Sequence, residues 1–251
     1  MGGGRDRARV DLVDAMSPLA ILLAGGALLF AVVSRPKIKP EPEPGDNLTR
    51  QQRLRSILAG VQELDDTQRA FLLITARGES NFNPLAHNGT DSEVAACARA
   101  VANDKTGIVA RTLACGVPTA DLITGSWGLF QRLAPYLAND AFEVFGDDGC
   151  TLANPTRTSV AFQIASALET AGDLQRYNGW RANPTLGNLR LGWAAPGLMG
   201  YMQRNEKRIA RYRRHARDIG YPASIIDAAL APFPRGRAVA EIYARLVAGG
   251  A

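Results

Sequence analysis

Arg77-Gly78-Glu79-Ser80-Asn81-Phe82-Asn83-Pro84 is the segment of this chain that best predicts its local structure. It follows an apolar run at 71–74, and the spacing predicts an amphipathic helix that begins after Asp65 or Asp66 and ends at the glutamate. The final proline prevents the helix from continuing. A single carboxylic acid is therefore expected at a helix end, at the edge of a hydrophobic core.

A second segment that bears on function is Gly128-Leu129-Phe130-Gln131. Its glycine lets a ligand approach the backbone, and the amide of Gln131 offers both a hydrogen-bond donor and an acceptor. Together with Glu79-Ser80, this segment resembles the Glu-Ser and Gly-Leu-Met-Gln motifs of lytic transglycosylases and goose-type lysozymes, with Phe130 in place of the usual methionine. The resemblance covers about residues 66–217.

This resemblance implies a lysozyme-like α+β fold that is mainly α. It also implies an enzyme that cleaves the β-1,4 bond between N-acetylmuramic acid and N-acetylglucosamine (MurNAc-GlcNAc) in peptidoglycan. Glycosidic cleavage needs a carboxylic acid that protonates the leaving oxygen, and Glu79 would be this general acid and base. Ser80, Gly128 and Gln131 would contact the substrate, although Ser80 is also a plausible turn residue. The resemblance implies no metal and no cofactor.

The family's remaining motifs are less well preserved. Its third motif is usually Ala-Tyr-Asn-x-Gly, and the nearest match is taken to be Gly192-Trp193-Ala194-Ala195-Pro196-Gly197, which keeps an aromatic residue and the last glycine but lacks the Asn. Trp193 is the expected substrate contact of this segment. The fourth element is a tyrosine on a late helix near the glutamate, for which Tyr212 is the candidate and Tyr201 the alternative.

The mechanism depends on a second carboxylate. An inverting hydrolase needs a base opposite the acid, whereas a lytic transglycosylase needs one Glu. Residues 86–124, between the two motifs, are predicted to be an insertion that could supply such a base from Asp91, Glu93, Asp104 or Asp121. None of these acids lies in a recognisable motif. The sequence therefore favours a lytic transglycosylase over a hydrolytic muramidase, and a non-catalytic glycan-binding or structural membrane protein on the same scaffold is the alternative from another class.

Outside the motifs, the chain divides by composition. Residues 1–14 form a short tail, and residues 15–34 carry no charge and are long enough to cross a bilayer of about 30 Å as a helix. A cleaved signal peptide is the main competing interpretation of this span, and a buried helix of a soluble protein is the third. Residues 35–47 are rich in proline and predict an extended linker. Residues 48–220 would then be the catalytic domain, and 221–251 a C-terminal helical tail.

These segments predict a single-pass membrane protein with its catalytic domain outside the cytoplasm, in a bacterial inner membrane or a membrane-containing virion. Charges on the two sides of the span are nearly balanced, so the expected wall substrate, not the positive-inside rule, sets this orientation. The expected partners are peptidoglycan glycan strands, the membrane and a larger envelope or virion assembly. Such an enzyme would open the wall locally during phage penetration, secretion, conjugation or remodelling.

The net charge of +5 favours anionic partners without selecting one. The basic residues crowd one late helix, which predicts a solvated face or a surface attracted to anionic wall polymer or lipid: Arg204, Lys207, Arg208, Arg211, Arg213, Arg214 and Arg217. No stacking or groove-reading motif indicates specific binding of nucleic acid.

Further helices are expected from periodicity and capping signals. Asn154-Pro155 predicts a helix start, a stripe at 160, 164 and 168 predicts its buried face, and Gly172 predicts its end. Two more helices are expected at about 198–219 and 238–247. Strand patterns are scarce, apart from a small hairpin expected within 85–125.

The three cysteines are Cys97, Cys115 and Cys150, and none belongs to a Cys-x-x-Cys pair. With only two histidines in the chain, a structural zinc site is not expected. In an oxidising compartment one disulfide is expected, either Cys97–Cys115 or Cys115–Cys150.

Overall fold

The computed structural model describes residues 46–176, 184–194 and 205–250, which belong to one compact unit. The predicted tail at 1–14, the predicted transmembrane helix at 15–34 and the linker up to residue 45 lie outside these residues. Within the described part, no helix is long and apolar enough to cross a membrane.

The described residues are mainly helical, as predicted. The α-helices are α1 (Asp46–Ala59), α2 (Asp66–Glu79), α3 (Asp91–Ala102), α4 (Ile108–Ala114), α5 (Thr119–Leu122), α6 (Ala134–Phe145), α7 (Val160–Gln175), α8 (Leu186–Ala194), α9 (Glu206–Asp218) and α10 (Arg237–Ala248). Short 3₁₀ helices span Gly146–Thr151, Pro155–Arg157 and Ala223–Asp227. Three two-residue strands, β1 (His87–Asn88), β2 (Ser126–Trp127) and β3 (Arg132–Leu133), form an antiparallel sheet in the order β1-β2-β3.

Helix α2 is the centre of the core, and all residues from 70 to 76 are buried. It begins with a capping box, in which the Asp65 carboxylate accepts from the Gln68 backbone N–H and the Gln68 side chain accepts from the Asp65 N–H, each at 2.8 Å. The helix packs against α1, α8 and α9. The predicted start after Asp65 and end at Glu79 are confirmed.

The insertion between the two motifs is helical and is bracketed by the sheet. It contains β1 and helices α3 to α5, whereas β2 and β3 follow it. The hairpin expected within 85–125 is therefore displaced, because β1 at 87–88 pairs with β2 at 126–127 across the whole insertion.

A disulfide joins Cys115, at the end of α4, to Cys150 in the 3₁₀ helix that follows α6. Of the two pairings that the sequence left open, the structure therefore has Cys115–Cys150 and not Cys97–Cys115. Cys97 is buried, its thiol donates to the Gly125 carbonyl at 3.3 Å, and burial raises the pKa of the thiol. The disulfide ties the insertion to the helical body.

The prediction that a helix begins at Asn154-Pro155 is wrong. Asn154 caps the 3₁₀ turn, and α7 begins only at Val160, where the Ser159 hydroxyl accepts from the Phe162 N–H at 3.2 Å. Gly172 does not end α7, which continues to Gln175. A Cβ at Gly172 would lie 2.4 Å from Arg235 Cγ, so this glycine makes room for a crossing side chain.

The segment expected to be a C-terminal tail packs into the same core. Ile226, Val239 and Ile242 are buried, and α10 contacts α6 and α7. Gln175 bonds the segment at two points, to the Ala231 carbonyl at 3.0 Å and to the Phe233 N–H at 2.7 Å. The predicted helix at 238–247 is confirmed, and α9 confirms the described part of the one at 198–219.

Candidate functional site

Glu79 is the last residue of α2, and its side chain is 24% exposed. It is thus at the edge of the core, as predicted. Its Oε1 atom accepts a hydrogen bond from Arg190 Nη2 on α8, at 2.5 Å. Arg190 is 3% exposed, and its Nε and Nη1 atoms are buried without a hydrogen-bond partner. The sequence analysis missed Arg190, because nothing local marks a partner 111 residues away.

Gly78 lets two side chains, those of Arg190 and His215, lie close to the helix end beside Glu79. A Cβ at this position would lie 2.8 Å from Arg190 Nη2 and 3.1 Å from His215 Nδ1 and Cε1. Any larger residue would displace the guanidinium or the imidazole. The space that a side chain at this position would fill is occupied by Arg190 and His215.

Tyr212 lies beside the same ion pair. It is 3% exposed, and its ring centroid is 4.9 Å from Arg190 Cζ, a cation–π contact. The structure therefore places this tyrosine next to the partner of Glu79, near the position that the resemblance implied. Tyr201, the alternative, lies outside the described residues.

His215 is neutral at physiological pH. Burial, together with the charges of Arg190 and Arg77, lowers its pKa from 6.5 to about 4, against a weaker opposing effect of Asp218. Its Nδ1 atom is buried without a hydrogen-bond partner. A neutral imidazole adds no positive charge to the environment of Glu79.

We expect this histidine to make stability fall with acidification. Between pH 6.5 and 4 the unfolded state binds the His215 proton and the folded state does not, so the free energy of unfolding decreases as pH falls through this window. In the variant His215→Gln this part of the pH dependence should be lost. Urea unfolding of both proteins at pH 7, 6 and 5 measures it, and parallel curves for the two would contradict the assignment.

The two motifs, residues 77–84 and 128–131, are joined directly by Ser80. Its hydroxyl lies 2.8 Å from the Leu129 carbonyl and 3.2 Å from the Ala76 carbonyl, both acceptors. Ser80 thereby fixes the helix end against the second motif.

Gln163, on α7, is a second link that the sequence analysis missed. It is 3% exposed, its amide nitrogen donates to the Pro84 carbonyl at 3.0 Å, and its amide oxygen accepts from the Leu129 N–H at 2.7 Å. A Cβ at Gly128 would lie 2.5 Å from the Gln163 amide carbon and oxygen. Gly128 is thus required in the second motif because the Gln163 amide occupies the space that a Cβ would take.

Backbone strain is concentrated in the two motifs. Within the described ranges, the non-glycine residues with positive φ are Asn81 (52°), Phe82 (63°) and Gln131 (48°). Such conformations are costly for residues with a Cβ and recur at functional sites. The clustering of all three at the two motifs supports a functional role for this region.

Gln131 is held by the sheet and does not bond to Glu79. Its amide nitrogen donates to the carbonyls of Ala86 and Gly128, and its oxygen lies 3.1 Å from the Ser126 hydroxyl. Ser126 also donates to Glu93 Oε2 at 2.6 Å. These hydrogen bonds form a network that shapes the second motif.

Glu93 is the acid of the insertion that the structure links to the motifs. Its Oε1 atom accepts from Asn88 at 2.7 Å and its Oε2 from Ser126, so both oxygens are engaged. Asp104 caps the turn before α4 through Thr106 and Val109. Asp91 and Asp121 lie in the first turns of α3 and α5, where helix termini favour carboxylates.

Trp193 packs in the core and does not contact Glu79. Its ring meets Phe71 and Phe130 edge to face at 6.0 and 6.2 Å, and its indole N–H donates to the Phe130 carbonyl at 3.3 Å. Trp127, on β2, stacks on His87 with ring centroids 3.9 Å apart. The contacts of Trp193 with Phe71 and Phe130 give it a packing role against the second motif.

Of the segment matched to the third motif, the structure describes Gly192, Trp193 and Ala194. Residues 177–183 and 195–204 lie outside the described structure.

Two features away from the motifs do not bear on Glu79. The carboxylates of Glu143, Glu169 and Asp173 lie within 4.8 Å of one another, but Arg235 already pairs with the last two. A cavity of about 300 Å³ lies between α1 and α10, and no residue of the two motifs lines it.

The chain matches no protein-family model, no curated protein and no solved structure. What it does is therefore inferred from the residues and their geometry.

Proposed function

We propose that this protein is a peptidoglycan lytic transglycosylase that cleaves the MurNAc-GlcNAc β-1,4 bond, with Glu79 as general acid and base. The observation that carries the proposal is the position of Glu79. Its partly exposed carboxyl lies at the end of a buried helix, in a motif that Ser80 bonds to a strained, glycine-led second motif. A helical body with a small sheet at the second motif also suits a lysozyme-like α+β fold.

In this mechanism Glu79 acts twice. It first gives its proton to the glycosidic oxygen as the bond from that oxygen to the MurNAc C1 breaks, while the substrate's N-acetyl oxygen attacks C1. The Glu79 carboxylate then takes the proton of the MurNAc C6 hydroxyl. The C6 oxygen bonds to C1, displaces the N-acetyl oxygen and forms a 1,6-anhydro end, and no water is consumed.

The engagement of Glu93 supports this mechanism over hydrolysis. Each Glu93 oxygen already accepts a hydrogen bond within the sheet, so a water that Glu93 activated would have to share the carboxylate with Asn88 and Ser126. A hydrolytic muramidase remains the second candidate because Glu93, through Ser126, is the acid that the structure connects to the second motif.

The setting that we propose is outside the cytoplasm, on a bacterial inner membrane or a membrane-containing virion. The uncharged span at 15–34 and the proline-rich segment after it support a tether and a spacer. The Cys115–Cys150 disulfide supports an oxidising compartment. Local opening of the wall during phage penetration, secretion, conjugation or remodelling is the corresponding biological role.

Mass spectrometry of the fragments released from purified peptidoglycan tests the reaction. We expect muropeptides with non-reducible 1,6-anhydro ends, each lighter by one water than the hydrolysis product. Reducing MurNAc ends would instead identify a muramidase. If no soluble fragments are released, the chain is a glycan-binding or structural protein on this scaffold.

A further inference from the structure

The Arg190 guanidinium is buried, and among the described residues its hydrogen bond goes to Glu79. Within the part of the chain that the structure describes, two of its donor atoms, Nε and Nη1, have no hydrogen-bond partner. Buried donors are nearly always satisfied in folded proteins, and exceptions are found at catalytic and other functional sites. Among the described residues, Arg190 donates a hydrogen bond to the candidate catalytic acid alone.

Three helices hold the Arg190 guanidinium in place. It comes from α8, lies against the Tyr212 ring on α9, and packs on Gly78 in α2, where a Cβ would lie 2.8 Å from Nη2. Because the Tyr212 ring and Gly78 both lie against the guanidinium, Nη2 has little freedom relative to Glu79. A fixed donor fixes the carboxyl that it binds.

The contact between the two side chains engages one oxygen of the carboxyl. Arg190 bonds to Oε1, and no described residue bonds to Oε2. An arginine can occupy both oxygens of a carboxylate with a pair of parallel hydrogen bonds. The single bond seen here leaves the second oxygen of Glu79, in a side chain that is 24% exposed, available to a ligand.

We propose that Arg190 is a positioning residue, which orients the Glu79 carboxyl through Oε1 so that Oε2 exchanges the proton with the glycan. This role rests on the function proposed above. Arg190 touches neither the bond that breaks nor the C6 hydroxyl, and it acts on the reaction only through Glu79.

The test compares Arg190→Met and Arg190→Lys with the wild-type full-length protein, acting on soluble uncrosslinked peptidoglycan strands. For R190M we expect kcat to fall about 10- to 100-fold, as for a misplaced catalytic group, and KM to stay within about twofold. R190K should recover part of the loss, because an ammonium group can still donate to Oε1. The melting temperature of R190M should equal or exceed that of the wild type, because two unsatisfied buried donors are removed.

Arg235→Met is the matched control. Arg235 also pairs with a carboxylate, at 3.0 Å from Glu169, and its Nε atom is also buried without a hydrogen-bond partner, but no motif residue contacts it. This variant should keep the wild-type kcat, whatever it does to the melting temperature.

Three outcomes would overturn the role of Arg190 while the wild type is active: an R190M variant with unchanged kcat, a loss of kcat matched by a loss of folded protein, or an R190K variant no better than R190M. A wild type that releases no product from the strands overturns the proposed function itself, and this role with it. The two failures are therefore distinguishable from the wild-type measurement alone.

Discussion

Replacement of Glu79 by Gln is expected to lower peptidoglycan cleavage by about 10²- to 10⁴-fold, the contribution of a general acid–base group. Gln keeps the size of the side chain and an oxygen that can accept the Arg190 hydrogen bond, but it has no proton to give to a leaving oxygen. The rate is measured from muropeptide release, together with zymography. The melting temperature, followed by circular dichroism, should change little.

Glu241→Gln is the control for removing one carboxylate. Glu241 also pairs with an arginine, Arg237 at 3.0 Å, but on the exposed face of α10 and outside both motifs. This variant should cleave peptidoglycan at the wild-type rate. Equal clearing by E79Q and the wild type would remove Glu79 from the mechanism.

A large loss of stability is expected for Gly128→Ala, with Gly107→Ala as its control. Both glycines have left-handed backbone, with φ of 79° and 71°, but a Cβ at Gly107 meets nothing within 4 Å, whereas one at Gly128 meets Gln163 at 2.5 Å. The control should therefore lose about 1–2 kcal/mol, the cost of the left-handed conformation alone. G128A should lose about 2–5 kcal/mol, because it also displaces the Gln163 amide from Pro84 and Leu129.

Urea unfolding gives both free energies. Equal losses for the two variants would show that the amide of Gln163 is not held against the glycine as described. Activity adds a second readout, because displacement of Gln163 separates the two motifs. G128A should lose activity even at temperatures where it is folded, and G107A should not.

The elements predicted well from the sequence are those defined by local signals. The Asp65 cap, the apolar run and the Pro84 stop together specify α2, because capping and helix breaking act over a few residues. The errors around α7 have a local cause too. Two capping residues, Asn154 and Ser159, compete for one helix start, and the glycine expected to end the helix serves packing.

The parts of the site that the sequence did not reveal are long-range. Arg190 reaches Glu79 from 111 residues away, and Gln163 reaches Pro84 from 79. Neither belongs to a motif, and each depends on which helices pack against α2 and the second motif. Ser80 and Gln131 were expected to face substrate because their side chains can bond to sugars, but the same donors and acceptors satisfy backbone carbonyls in the fold.

The disulfide between Cys115 and Cys150 makes the stability of this chain depend on whether its compartment is oxidising or reducing. It closes a loop with a sequence separation of 35, which by loop-closure entropy contributes about 4 kcal/mol by restricting the unfolded chain. That is a large share of the roughly 5–15 kcal/mol that holds a domain folded. In a reducing cytoplasm the thiols stay separate, so newly made chains are more easily unfolded there. In the oxidising compartment that we propose as the setting of this protein, the same chains would gain this stabilisation.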